Sequence, residues 1–359
     1  MIIGSIMMCL SGLVFAESTD FTYLLIAAII GVISPSGDET GPFKTVEEAS
    51  IAHLTPHNHR PEVFAIHGVL ATAGGAIGSL VCGFLVDYLH NELKYDKIRC
   101  YQIVFYVYSA IAIMKLFSML CLSEKCEVYS DKNISEISET SELLGEENST
   151  STTSTTTISK ATRSYLPKLL CIFMLDSLGY GFMPSAWVVY YLAITFKLAA
   201  KALGSLFFVT NFVNSISSIP SAYLAKSIGP VKAILFTQAP SAIFFGAIAI
   251  CHNFTPVAIL LIFYYLTSTM DVVPRQVLLT SIMPKHEITK VMGTVNIGKT
   301  VARCVGPTFT GRLAEDDRLK YGFLINAICV LLADLVLVTN FVHVDHVILQ
   351  KQSIDCDIE

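Results

Sequence analysis

Charge is scarce in this chain. Only 15% of its 359 residues are Asp, Glu, Lys or Arg, against about 25% in a soluble domain. With 53% hydrophobic residues and a mean hydropathy of +0.59, the apolar excess is too large for one core and must face lipid. The net charge of -5 comes largely from one acidic loop and gives no support to nucleic-acid binding. No Lys or Arg precedes the first apolar run, which argues against a cleaved secretory signal there. No Cys-x-x-Cys pair occurs among the ten cysteines. Most of them, Cys82 and Cys171 for example, lie inside apolar segments and read as small apolar packers, not disulfide or metal ligands. No Gly-x-x-x-x-Gly-Lys-Ser/Thr loop occurs, so the chain carries no ATPase and ATP is not a partner. No Ser/His/Asp elbow or histidine cluster sits at membrane depth; His53, His57 and His59 fall in a loop. No enzyme activity, cofactor or metal site is expected.

What the chain has is apolar length. Runs at 1–17, 21–36, 61–89, 100–122, 167–194, 202–225, 231–251, 255–280, 288–313 and 320–343 approach or exceed the roughly 20 residues a spanning helix needs. They predict an all-α, polytopic protein embedded in the bilayer. Residues 123–166 differ in kind: acidic residues such as Glu136 and Glu147 are followed by a Ser/Thr tract from Ser149 to Ser159. Such a segment cannot support a core and reads as a disordered linker. It separates a four-helix part (1–122) from a six-helix part (167–343), with a tail at 344–359. A cytoplasmic linker and tail fit the modest bias of Lys and Arg toward that side. The linker also contains Glu142-Leu143-Leu144, an acidic dileucine pattern of endosomal and vacuolar sorting that acidic linkers also produce by chance. The target membrane, plasma membrane or vacuolar/endosomal, stays open.

The two parts repeat one another. Residues 56–85 lie over 284–313 without a gap, placing Pro56 on Pro284, Val63 on Val291, Thr72 on Thr300, Gly78 on Gly306, Gly83 on Gly311 and Leu85 on Leu313. Repeated membrane bundles of this type place a substrate site between the repeats and rock one against the other.

Three segments carry a resemblance to a known family. They are Gly31-Val32-Ile33-Ser34-Pro35-Ser36-Gly37-Asp38-Glu39-Thr40-Gly41-Pro42-Phe43, Ala222-Tyr223-Leu224-Ala225-Lys226-Ser227-Ile228-Gly229-Pro230-Val231-Lys232, and Gly306-Pro307-x-x-x-Gly311. The second resembles the inter-helix loop motif Gly-x-Leu-Ala-Asp-Arg-x-Gly-Arg-Arg of the major facilitator superfamily, with Lys226 and Pro230 departing from it. With the repeat, they make the chain similar to that family's fungal and microbial branch. The resemblance implies a helical bundle of two pseudo-symmetric halves with about ten of twelve helices present. The family's first two helices would precede residue 1. It implies a secondary transporter of a small solute working by alternating access, coupled to H+. A non-transporting receptor or scaffold, or a non-functional fragment, that kept the fold is the alternative.

Ionisable groups at membrane depth are costly, so each is a candidate site residue. Asp271 and Arg275 are four apart and can pair on one helical face. Asn296, Lys299, Arg303 and Thr310 share another face, and Lys299 with Arg303 suits an anionic substrate; a structural or gating network with Asp271 and Glu39 is the competing reading. Aligning Leu24-Leu25-Ile26 with Leu260-Leu261-Ile262 sets Glu39 opposite Arg275. Glu39 and Asp38 could carry protons or sit exposed at a helix end. Asp176, Tyr180, Pro184, Trp187 and Tyr191 recur at helical spacing, and Gly179, Gly181 and Pro184 can break that helix and free backbone groups for a ligand. His67 is a proton shuttle or a packing histidine. Gly78, Gly83, Gly229, Gly306, Pro307 and Gly311 are the expected packing and bending positions.

Overall fold

The computed structural model describes residues 2–31, 60–121, 160–217, 219–282 and 288–358. Asp38, Glu39, His53, His57, His59, the dileucine pattern and most of the linker lie outside the described residues, as does the Lys226 side chain. Among the described residues there is no strand.

The helices are α1 (Ile2–Glu17), α2 (Phe21–Ile30), α3 (Arg60–Asn91), α4 (Lys97–Leu120), α5 (Lys160–Phe182), α6 (Ser185–Thr195), α7 (Ala200–Ser217), α8 (Ile219–Ile228), α9 (Pro230–Ala247), α10 (Phe254–Ser268), α11 (Val272–Ile282), α12 (Ile288–Glu315) and α13 (Lys320–Ile358). Each expected apolar run has a helical counterpart, and the runs at 167–194 and 255–280 are each split into two helices. Among the described residues six stretches are long and apolar enough to cross a bilayer by themselves. α12 is not among them because Lys290, Lys299 and Arg303 break its apolar character. α13 runs through the expected tail boundary to Ile358.

The chain forms two compact units, residues 1–34, 38–67 and 105–158 in one, and 35–37, 68–104 and 159–359 in the other. In the first, α1 packs on α4 through the Phe15 and Phe105 rings, 4.8 Å apart, and Ser109 Oγ donates to the Cys9 carbonyl at 3.3 Å. Tyr106 donates to Glu17.

Among its described residues the second unit has two large buried apolar clusters and two small ones. Leu169 and Phe173 of α5, Ile234 of α9, Leu278 of α11, Val295 of α12 and Leu337 of α13 build one large cluster. Leu192 of α6, Phe207 of α7, Phe245 of α9, Leu261 of α10 and Phe323 of α13 build the other. Along α5 and α9 the polar residues Asp176 and Gln238 fall between the stretches that feed these two clusters. Water is absent at this depth, so such groups must find partners within the protein.

Glycine is required at several places, a close approach and a turn among them. Gly306 of α12 lies against the Gly181 backbone of α5, where a Cβ would overlap the Gly181 carbonyl. Gly229, before α9, has φ +89°, a conformation that disfavours any side chain.

Candidate functional site

The site grows from one arginine. Arg275 is in the first turn of α11, and Asp271 precedes that helix by one residue. The spacing brings Arg275 Nε to 2.7 Å from Asp271 Oδ2, the four-residue pairing the sequence predicts. On its other side Arg275 Nη1 donates to Asp176 Oδ2 of α5 at 2.6 Å. Gln238 Nε2 of α9 donates to Asp176 Oδ1 at 2.5 Å. One guanidinium thus bridges two carboxylates, and an amide fixes the second. The bond to Asp176 is charge-assisted, short and directional, whereas the Asp271 contact is an ion pair without hydrogen-bond geometry; the planar guanidinium spans two carboxylates where an ammonium would not.

The surroundings are apolar and aromatic. The guanidinium lies 5.7 Å from the centre of the Phe173 ring, and Lys299 Nζ lies 5.9 Å from the same ring. Arg303, one turn along α12, faces the Tyr180 ring at 4.8 Å. Rings attract cations through their quadrupole, so α5 presents a carboxylate and two π-faces to three cations. Asp176, Gln238 and Arg275 also edge a small pocket walled by Phe173, Leu278 and Leu337; it has room for about one water molecule.

The break in α5 falls at Met183–Pro184, next to the proline. Helix ends leave carbonyls without amide partners, and sequence reasoning offered these to a ligand. Here they are taken from within: Asn326 Nδ2 donates to the Gly179 carbonyl at 2.8 Å and Thr310 Oγ1 to the Phe182 carbonyl at 2.6 Å. Gly181 packs on the Arg303 carbonyl of α12, where a Cβ would stand 2.8 Å away.

The structure therefore gathers Asp176, Tyr180, Asp271, Arg275, Lys299 and Arg303 in one neighbourhood. Asn296 does not join them; it is exposed, whereas Thr310 is buried against α5. His67 is half-buried in the other unit. The glycine repeat mates diverge. Gly83 meets Gly204 of α7, where a Cβ would stand 2.8 Å from the Gly204 Cα, and Gly306 meets Gly181. Against expectation, Gly78 and Gly311 have no described atom within 4 Å of an added Cβ; no described helix approaches them closely. Gly68, Gly74 and Gly75 are equally open.

Sequence reasoning missed Gln238, Asn326, Asp334 and Asp345. Asp334 is the one charged residue between Lys320 and Asp345, so the rule that flagged Arg303 also applies to it. Asp345 is fully buried and accepts from the Val231 N–H at 2.8 Å and the Lys232 N–H at 3.0 Å. It thereby caps α9 from α13 beside Gly229.

The sequence profile of the Major Facilitator Superfamily matches residues 169–352, which contain this whole charge network. The chain belongs to the major facilitator superfamily. An uncharacterized membrane protein of Saccharomyces cerevisiae, YJR124C, is 47% identical over 96% of this chain and 80% of its own length. Among solved structures the fold is similar to a D-xylose-proton symporter, with a TM-score of 0.68 at 16% identity over 94% of this chain and 79% of that one. It is also similar to an inward-facing bacterial homologue of the iron transporter ferroportin, with a TM-score of 0.63 at 12% identity over 94% and 81%. At these identities the likeness shows the fold alone. This major facilitator protein is an integral, multi-pass membrane protein of a transport family.

Proposed function

We propose that the chain is a secondary active transporter that moves a small anionic or zwitterionic solute by alternating access, coupled to H+. The bridge from Asp176 through Arg275 to Asp271 carries this reading. It ties α5 to α11 by charges that are costly at membrane depth, and a purely structural bundle gains nothing from them that apolar packing would not supply more cheaply. Lys299 and Arg303, half-buried beside ring faces, are cations suited to a carboxylate or phosphate on the solute. A solute that engages them competes with Asp176 and Asp271 for the cationic field, which is a means of coupling binding to rearrangement. Solved structures of similar fold include a D-xylose-proton symporter, and coupling to protons here rests on that analogy together with the buried carboxylates.

The test uses the purified full chain in liposomes holding a pH-sensitive dye. Pools of small organic anions and zwitterions are added outside. The expected result is solute-dependent proton movement that is lost in Arg275→Ala and reduced at least tenfold in Arg303→Ala. Proton movement unchanged by every pool, together with unchanged uptake of the labelled solutes, would overturn the transport reading in favour of a receptor or scaffold.

A further inference from the structure

The described network has a member that the bridge does not use. Asp334 lies midway along α13 and is 3% exposed. Its Oδ2 meets no hydrogen-bond donor among the described residues. Two contacts fix its level: the Asn326 amide on the Gly179 carbonyl, and the Phe341 ring 6.0 Å from the Tyr165 ring. These set α13 antiparallel to α5 and place residue 334 near Phe173, about one turn from Asp176.

The charges around it are few. α5 brings Asp176, with the phenols of Tyr165 and Tyr180 toward its two ends, and Lys168, which is exposed. α9 brings the neutral Gln238 and no charged residue beyond Lys232. α11 brings Arg275, with Asp271 just before it. α12 brings Lys299 and Arg303, which face the Phe173 and Tyr180 rings. On α13 itself the nearest charges are Lys320 and Asp345, each more than two turns away. Asp334 is level with Phe173, whose ring lies 5.7 Å from the Arg275 guanidinium, and that guanidinium holds Asp176 and Asp271. It is thus already spent on two carboxylates. A third carboxylate at membrane depth, one of whose oxygens meets no donor among the described residues, has two ways to be stable: bind a proton or draw Arg275 away.

We infer that Asp334 holds the exchangeable proton of this network, and that its release lets Asp334 compete for Arg275 against Asp176. The step moves one proton between water and the carboxylate and no electrons. With the proton bound, Arg275 bridges α5 and α11. With the proton gone, the guanidinium has three anionic claimants, and the α5–α11 tie weakens in favour of α13. That this switch drives transport rests on the coupled reading above; that the proton resides on Asp334 does not.

Infrared difference spectroscopy on the purified full chain in lipid nanodiscs tests the assignment. Wild type at neutral pH should show the carbonyl stretch of a protonated carboxylic acid, shifting on exchange into D2O. Asp334→Asn should lose one carboxyl's worth of that band, whereas Asp176→Asn and Asp271→Asn keep it. Asp334→Glu should restore it at the glutamic-acid position, which covers the case in which Asp334→Asn fails to fold. A full band in folded Asp334→Asn, or an unmoved band in Asp334→Glu, would overturn the proposal. If the band follows residue 334 but no solute moves protons in liposomes, the assignment stands and the transport reading fails. If solutes move protons but the band ignores residue 334, the assignment fails and transport stands.

Discussion

Arg275 is the residue on which the site depends most. Removing it strands Asp176 and Asp271 as unpaired charges, a loss of about 3–5 kcal/mol for a buried pair. Arg275→Ala should therefore lower the thermal unfolding midpoint in detergent sharply, while Asp176→Asn, whose neighbour Gln238 can turn its amide to suit, should lower it less. Neutralising all three, as Asp176→Asn, Asp271→Asn and Arg275→Met together, should recover much of the stability but no solute-driven proton movement. Equal losses in Arg275→Ala and the triple variant would mean that packing, not charge, holds this place. Asp345 gives a second residue-scale expectation. It supplies two acceptor oxygens to the first turn of α9, where negative charge also suits the helix dipole. Asp345→Ala should cost about 1–2 kcal/mol, as loss of an N-cap does, with Asp345→Asn costing less; both are read from thermal unfolding.

At the scale of elements, α5 and α12 show how closely backbones can approach when side chains are absent. Gly306 faces the Gly181 backbone, and Gly83 faces that of Gly204. Backbone cannot move aside as a side-chain tip can, so Gly306→Ala and Gly83→Ala should each destabilise the fold. Gly78→Ala and Gly311→Ala meet open space and should be neutral or gain up to about 1 kcal/mol from helix propensity. The four variants, compared by thermal unfolding, separate a glycine that admits a neighbour from one that merely lies in a helix. The repeat aligned these glycines as mates, and it is the packing around each that makes them unequal.

For the molecule as a whole, alternating access requires packed helices to part. Thr72 Oγ1 of α3 lies 2.8 Å from Ser215 Oγ of α7, near the reach of a disulfide. Thr72→Cys with Ser215→Cys should cross-link on mild oxidation, detected by peptide mapping. The link should stop solute-driven proton movement, with recovery on adding a reductant. Full flux in the cross-linked protein would mean that α3 and α7 stay together throughout the cycle.

Helix positions were readable from the chain because a spanning helix needs only length and apolar composition, both local properties. The all-α class, the multi-pass membrane location and the family follow from them and from the repeated glycines, prolines and loop motifs. The Asp271–Arg275 pair was readable too, because four residues is one helical turn. The partners across helices were not. Nothing in the spacing of Asp176, Gln238 and Asn326 states which helix each will meet, since that depends on how α5, α9, α11, α12 and α13 pack. The same packing turned carbonyls expected to await a ligand into acceptors for Asn326 and Thr310, and left Asn296 in the open. Asp334 stood in plain view as a lone charge in an apolar run. Its significance comes from being buried near an arginine that two other carboxylates already hold, and burial and proximity between distant segments are properties of the folded bundle.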